Sequence, residues 1–118
     1  SDQDKIFIQK VTTIINENLG TNSFSVELLA KKTNCSRTNF YKKMKGVTGE
    51  TPHEFIHTIQ MKKAALLLKE TNHSIADIGY MVGYNDSNYF SKSFKKHFGK
   101  TPKAYQKEML NKKLPKPI

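Results

Sequence analysis

The feature of the 118-residue sequence that most restricts its fold is an internal repeat. A shift of 49 positions brings the segment that begins at Ser25 onto the one that begins at Ser74, and a shift of 50 aligns the rest. The aligned positions share a capping, apolar, basic or turn-forming character: Leu29/Ile78, Ala30/Gly79, Ser36/Asp86, Phe40/Phe90, Met44/Phe94, Lys42/Lys92, Lys45/Lys95, Gly49/Gly99, Thr51/Thr101, Pro52/Pro102 and Phe55/Tyr105. Such a repeat predicts that the chain contains the same supersecondary unit twice.

Each copy has the signals of two short helices joined by a tight turn. In the first copy, Ser25 is the predicted N-cap of a helix ending near Thr33, and Ser36 caps a second helix that ends at Gly46. The second copy carries the corresponding signals in this order: Ser74 with Asp77 as a capping box, Gly83 as a stop, Asp86 as a cap and Gly99 as a stop. A short helix, a turn and a capped second helix make a helix-turn-helix unit.

Further helices are predicted around and between the two units. One runs from about Lys5 to Leu19. Another opens with Thr51 as N-cap, Pro52 at N1 and Glu54 completing a capping box, and continues to about Glu70. A last one begins at Thr101-Pro102. No segment shows the alternation typical of strands.

The predicted fold is therefore all-α, with about seven helices in two homeodomain-like subdomains joined by a long linking helix. We expect a single domain over residues 1–118. Its predicted parts are a first subdomain (5–50), a linking helix (51–71), a second subdomain (72–110) and a flexible tail (111–118).

Basic charge coincides with the second helix of each unit. The chain has 20 Lys and Arg against 10 Asp and Glu, a formal net charge of +10, and residues 31–45 and 92–103 contain no acid. Charge localised in this way indicates a polyanionic partner, either nucleic acid or an anionic membrane, although a merely solvated surface has the same composition. The second helix of a helix-turn-helix enters the major groove, and this placement favours double-stranded DNA.

The length of the linking helix predicts the distance between the two recognition helices, which are the second helices of the two units. From Pro52 to Lys69 it spans about 27 Å at 1.5 Å per residue. With the turns at its ends, the expected separation is roughly one duplex turn, about 34 Å. One monomer would then place both helices in successive major grooves.

Residues 74–102, SIADIGYMVGYNDSNYFSKSFKKHFGKTP, resemble the signature of the AraC/XylS family of transcription regulators. The resemblance extends over about residues 5–108. Residues 36–49 also resemble output domains of hybrid two-component regulators. Five positions depart from the family pattern: Gln60 and Gln106 stand where Arg is usual, Gly79 where Ala is common, Tyr84 where Phe is common and Lys42 where Arg is frequent. Glycine in a helix costs up to about 1 kcal/mol relative to alanine.

The resemblance implies transcription regulation, typically activation, with RNA polymerase as a further partner. It also implies a dimeric parent protein, while the isolated domain is expected to be a monomer. No cofactor, metal or membrane contact is predicted. The single cysteine, Cys35, rules out a disulfide within the chain and favours a reducing, cytoplasmic location.

In the first unit, the predicted DNA-binding residues are Arg37, Thr38, Tyr41, Lys42 and Lys45. The resemblance places base-reading positions on Thr38, Tyr41 and Lys42. Two interpretations remain open for Arg37: a bidentate contact to guanine, or a contact to phosphate. Lys45 is expected to contact phosphate.

In the second unit, the predicted residues are Ser87, Asn88, Tyr89, Lys92 and Lys95. Asn88 can pair with adenine, and Lys92 with guanine or phosphate. Alternatively, Ser87 and Asn88 only satisfy the helix N-terminus beside the cap Asp86. The helix starts at Thr51-Pro52 and Thr101-Pro102 are further candidates for holding phosphates.

Catalysis has one candidate motif. Residues 53–57 match H-E-x-x-H, in which two histidines bind zinc and the glutamate acts as base. Glu54 already has a capping role, and Asp77, the tempting third ligand, caps another helix. We therefore expect no enzyme activity. A module that binds membrane, RNA or protein without sequence preference is the remaining alternative, although RNA readers usually show an aromatic platform.

Overall fold

The computed structural model describes residues 1–21 and 25–114, and within these ranges every regular element is a helix. The helices are α1 (Asp2–Glu17), α2 (Val26–Lys32), α3 (Arg37–Thr48), α4 (Pro52–Glu70), α5 (Ile75–Met81), α6 (Ser87–Phe98) and α7 (Pro102–Lys113). The predicted all-α class is confirmed. The bounds of α2 and α5 differ by 49 positions and those of α3 and α6 by 50, as the repeat requires.

The chain divides into two compact units, Ser1–Gln60 and Met61–Ile118, so that the boundary falls inside α4. The core of the first unit is built by α1, α2 and α3, and side chains from the first half of α4 pack against it. Its buried members are Phe7, Val11, Ile14, Ile15, Leu19, Val26, Leu29, Ala30, Phe40 and Met44. Burying a Val, Leu, Ile, Phe or Met side chain completely stabilises a fold by about 1.5–3 kcal/mol relative to leaving it exposed.

The second unit repeats this construction with the other half of α4. Met61, Ala64 and Leu68 of α4 are buried together with Ile78, Val82, Phe90 and Phe94. Phe90 and Phe94 occupy the positions that Phe40 and Met44 hold in the first unit, and all four are at most 1% exposed. The apolar spacing of α3 and α6 therefore identified their buried faces correctly.

The predicted caps are present where local sequence placed them. Ser25, Ser36, Ser74 and Thr101 each accept a hydrogen bond from the backbone three residues later, at 3.1–3.2 Å. These bonds satisfy N–H groups that a helix start leaves without an intrahelical partner. They set the first residue of α2, α3, α5 and α7.

The predicted end of α3 at Gly46 is wrong. The helix continues to Thr48, and Gly49 closes it in the left-handed conformation with φ +77°. Gly46 is an ordinary helical residue, whereas Gly49 supplies the positive φ that side chains rarely adopt. Gly99 ends α6 in the same way, with φ +80°.

Two other boundaries differ from the sequence-based expectation. α1 begins three residues before Lys5, because Ser1 accepts a hydrogen bond from the Asp4 N–H. It ends at Glu17, where the Asn18 side chain donates to the Ile14 carbonyl at 2.7 Å. At the other end, residues 111–113 of the predicted tail are helical, and residues 115–118 lie outside the described residues.

Candidate nucleic-acid interface

The exposed face of α3 carries the predicted residues of the first unit. Ser36 fixes the start of the helix, and Phe40 and Met44 turn one side of it into the core. Thr38, Lys42 and Lys45 are exposed on the other side, at the i, i+4 and i+7 positions that share one face of a helix. α3 therefore offers a polar, basic surface directly opposite its buried side.

Arg37 stands at the first position of α3 and is not free. Its Nη1 donates to Oε1 of Glu27 on α2, and both side chains remain 59% exposed. The pKa of the Glu27 carboxyl is lowered by a hydrogen bond from its own backbone N–H, by the positive charge of Arg37 and by the Ser25 side chain. Residues 31–45 contain no acid, but the fold places the Glu27 carboxylate against Arg37, the arginine of this segment. Sequence reasoning missed Glu27, because the pairing spans ten positions and two helices.

Tyr41 has a part in packing as well as a place on the predicted surface. It is half-buried against the core, and its ring meets His53 edge-on with 6.5 Å between centroids. Tyr41, Lys42, Lys45 and Gly46 line an open depression of about 500 Å³. The structure thus brings three of the predicted residues together around one shallow concavity.

The exposed face of α6 repeats the arrangement of α3. Asp86 Oδ1 accepts from the backbone N–H groups of Asn88 at 2.8 Å and Tyr89 at 3.2 Å, which confirms its predicted role as cap. Because Asp86 makes these bonds, the Asn88 side chain is not required to cap the helix. Asn88 is exposed together with Tyr89, Lys92 and Lys95, and Ser87 is half-buried.

The Tyr89 ring packs against the Tyr84 ring, a contact that sequence reasoning missed. The Tyr84 ring, in the turn before α6, lies 5.6 Å from the Tyr89 ring and 5.5 Å from the buried Phe90 ring, measured between centroids. Burial raises the pKa of the Tyr84 hydroxyl, partly offset by a hydrogen bond with Ser93. Tyr84 therefore links the exposed Tyr89 to the core.

Two lysines of the basic runs are engaged within the protein. Lys43 on α3 places its Nζ 4.3 Å from the centroid of the Phe7 ring, a cation–π contact with α1. Lys100 forms an ion pair with Glu108 on α7. The pKa of the Glu108 carboxyl is lowered by its hydrogen bonds with Lys100 and Lys112 and by their charges. Glu108 therefore offsets part of the charge of Lys100, whereas the contact with the uncharged Phe7 ring cancels none of the charge of Lys43.

The two Thr-Pro helix starts differ in their suitability for phosphate. At α4 the capping box is complete, since Glu54 N–H donates to Thr51 and Thr51 N–H donates to the Glu54 carboxylate. These hydrogen bonds lower the pKa of Glu54, and the charged group lies where a phosphate would bind. The first turn of α7 contains no acidic residue. Of the two starts, that of α7 is therefore electrostatically the more favourable for an anion.

Two of the H-E-x-x-H residues have other roles. Glu54 is the capping residue described above, as predicted, and His53 packs against Tyr41. Within the described ranges, no group of three His, Cys, Asp or Glu side chains is placed to hold a metal ion. In the same ranges, none of the helices combines the length and apolarity that a membrane span requires.

Comparison with known proteins gives a family match. A model described as "Helix-turn-helix domain" matches residues 29–108. The Msm operon regulatory protein of Streptococcus mutans is 39% identical over 107 residues, which are 91% of this chain and 38% of that protein. A protein named histidine kinase P4, of Formosa agariphila, is 38% identical over 106 residues, 90% of this chain and 8% of that protein. The chain thus spans a minor part of these relatives.

Solved structures agree with this match. The C-terminal domain of the two-component response regulator yesN from Fusobacterium nucleatum has a TM-score of 0.77 at 29% identity, covering 90% of this chain and 99% of that one. An AraC-type regulator from Chromobacterium violaceum has a TM-score of 0.83 at 21% identity, covering 92% of this chain and 96% of that one. The second likeness concerns the fold alone.

Proposed function

Since the chain belongs to the AraC-type helix-turn-helix family, we propose that it binds double-stranded DNA sequence-specifically through α3 and α6. One observation carries the proposal. Each unit presents a capped helix whose buried side is apolar and whose opposite side exposes lysines and hydrogen-bonding side chains. Major-groove recognition needs such a helix, with base edges met by its first turns and phosphates by its basic residues.

The residues divide into two roles in this proposal. Thr38, Tyr41 and Lys42 of α3, with Asn88 and Tyr89 of α6, meet base edges. An asparagine amide pairs with the N6 and N7 atoms of adenine, and apolar parts of side chains contact the thymine methyl group. Lys45 and Lys95 stand one turn further along and contact phosphates, which adds affinity without sequence preference. Lys92 contacts guanine or phosphate, and Ser87 adds a weaker polar contact near the start of α6.

The predicted one-turn spacing gives the proposal a sharp test. Selection of bound duplexes from a random pool should enrich two short blocks whose centres lie about 10 base pairs apart. The selected duplex should also remain bound in an excess of random DNA. Binding with no enriched motif, or a selected duplex displaced by equal random DNA, would show a nonspecific polycation instead.

We further propose that the domain regulates transcription as one part of a longer cytoplasmic regulator. This is supported by the names of its relatives, which include an operon regulatory protein and the C-terminal domain of a response regulator. The domain itself acts as a monomer, and dimerisation and signal input belong to other parts of the parent protein. RNA polymerase is the proposed further partner. Analytical ultracentrifugation of this chain tests the monomer, with a dimer at micromolar concentration as the contrary result.

A further inference from the structure

The Glu27–Arg37 ion pair joins the first turns of α2 and α3, on the surface proposed to face DNA. Arg37 is the only arginine among the chain's 20 basic residues, so it is the only side chain with a planar guanidinium. It stands one position before Thr38, at the end of α3 that enters the groove. Its partner Glu27 comes from outside the acid-free run.

Glu27 is an exposed, charged acceptor in the first turn of α2. The pKa of its carboxyl is lowered by a hydrogen bond from its own backbone N–H, by the charge of Arg37 and by the Ser25 side chain, which favours the ionised form that pairs with Arg37. A guanidinium has five N–H donors, and the recorded contact with Glu27 uses one of them. Since Arg37 remains 59% exposed, the other donors can meet a second partner.

The negative charge of Glu27 determines which second partner the Arg37 guanidinium can bind. A phosphate brought to the same guanidinium would approach the Glu27 carboxylate, and the two anions would repel each other. Guanine presents O6 and N7, which are neutral acceptors matched to two parallel N–H groups. A carboxylate on one edge of the guanidinium therefore disfavours phosphate and leaves the other edge for a base.

Building on the proposed DNA binding, we propose that Glu27 is a positioning residue that holds Arg37 for recognition of guanine. The ion pair restricts the side-chain rotamers of Arg37 before DNA arrives. Less conformational entropy is then lost when the two hydrogen bonds to the base form. Arg37 becomes a specificity-determining residue, and Glu27 acts through it.

The test compares motifs selected from random duplexes by the wild type and three variants: Arg37→Ala, Glu27→Ala and Glu17→Ala. Glu17 is an exposed acid at the end of α1, so its variant makes the same charge change as Glu27→Ala on a helix that carries none of the proposed DNA-binding residues. Arg37→Ala should lose a guanine at one position of the motif. Glu27→Ala should weaken that same preference by about fivefold or more while affinity for random duplex does not fall. Glu17→Ala should keep the preference.

The alternatives give different results. If the pair only ties α2 to α3, Glu27→Ala will lower thermal stability and keep the base preference, and the inference fails. It also fails if Arg37→Ala reduces the salt dependence of binding and changes no base position, because Arg37 then contacts phosphate. A wild-type protein that selects no motif overturns the proposed function as well, which separates that failure from the other two.

Discussion

Replacing Gly79 by alanine should destabilise the second unit, although alanine is the better helix former. Gly79 lies inside α5, and a Cβ added there would stand 3.0 Å from Cδ2, 3.1 Å from Cγ and 3.3 Å from Cβ of Phe90. Phe90 is fully buried, with Tyr84 and Phe94 rings 5.5 and 6.1 Å away. The Phe90 ring therefore has little freedom to move, and α5 and α6 would have to separate.

The change in the free energy of unfolding caused by Gly79→Ala is the sum of two opposing contributions. The gain in helix propensity from glycine to alanine is about 1 kcal/mol. Forcing one methyl group into a packed core costs about 1–3 kcal/mol, and a ring already enclosed by neighbours places this site near the middle of the range. We expect a net loss of about 1 kcal/mol. For a unit of this size, a change of that order lowers the midpoint temperature by roughly 4–8 °C.

The first unit provides a matched control, because Ala30 is the repeat-equivalent position and is buried. Ala30→Gly should also destabilise, by about 1 kcal/mol or more, through lost propensity and lost methyl burial. Because the chain has no tryptophan, its unfolding is followed by circular dichroism and not by tryptophan fluorescence. Circular dichroism during urea unfolding, with hydrogen exchange of α5 and α6 amides to assign the change to the second unit, measures both variants. A Gly79→Ala protein more stable than the wild type would refute the close approach to Phe90.

Three shorter predictions concern DNA binding, helix capping and the loss of stability at low pH. Lys42→Ala should weaken specific and random-DNA binding and reduce the salt slope of log K by about one unit, and full affinity with an unchanged slope would contradict its role. Asp86→Ala should cost about 1 kcal/mol by urea unfolding, because it leaves the Asn88 and Tyr89 N–H groups uncapped, whereas Asp86→Ser should retain most of the stability. The folded-state pKa of Glu54 lies below its ordinary value of 4.5, so its contribution is complete above that pH and disappears as the pH falls through the folded-state pKa. Glu54→Gln should therefore be less sensitive to acid in thermal unfolding between pH 5 and pH 3, and an unchanged acid response would contradict that contribution.

The sequence by itself determined which elements form, the starts of the capped helices α2 to α7 and the buried faces of α3 and α6. Ser25, Ser36, Ser74 and Thr101 could be identified as caps because a cap bond joins residues three positions apart. Phe40 and Phe90 could be placed in cores because helical periodicity is local and occurs twice. The prediction at Gly46 failed for a related reason. Two glycines three positions apart are both plausible stops, and only the backbone shows that Gly49 takes the positive φ.

Only the tertiary structure decided which side chains meet across helices. The Glu27–Arg37 pair, the Lys43–Phe7 contact and the approach of Phe90 to Gly79 join residues on different helices. Such contacts depend on how closely two helices pack and where they cross, and neither quantity follows from spacing along one chain segment. The repeat predicted two equivalent helices with basic faces. The packing of α2 against α3 placed a carboxylate on one of those faces, beside the only arginine.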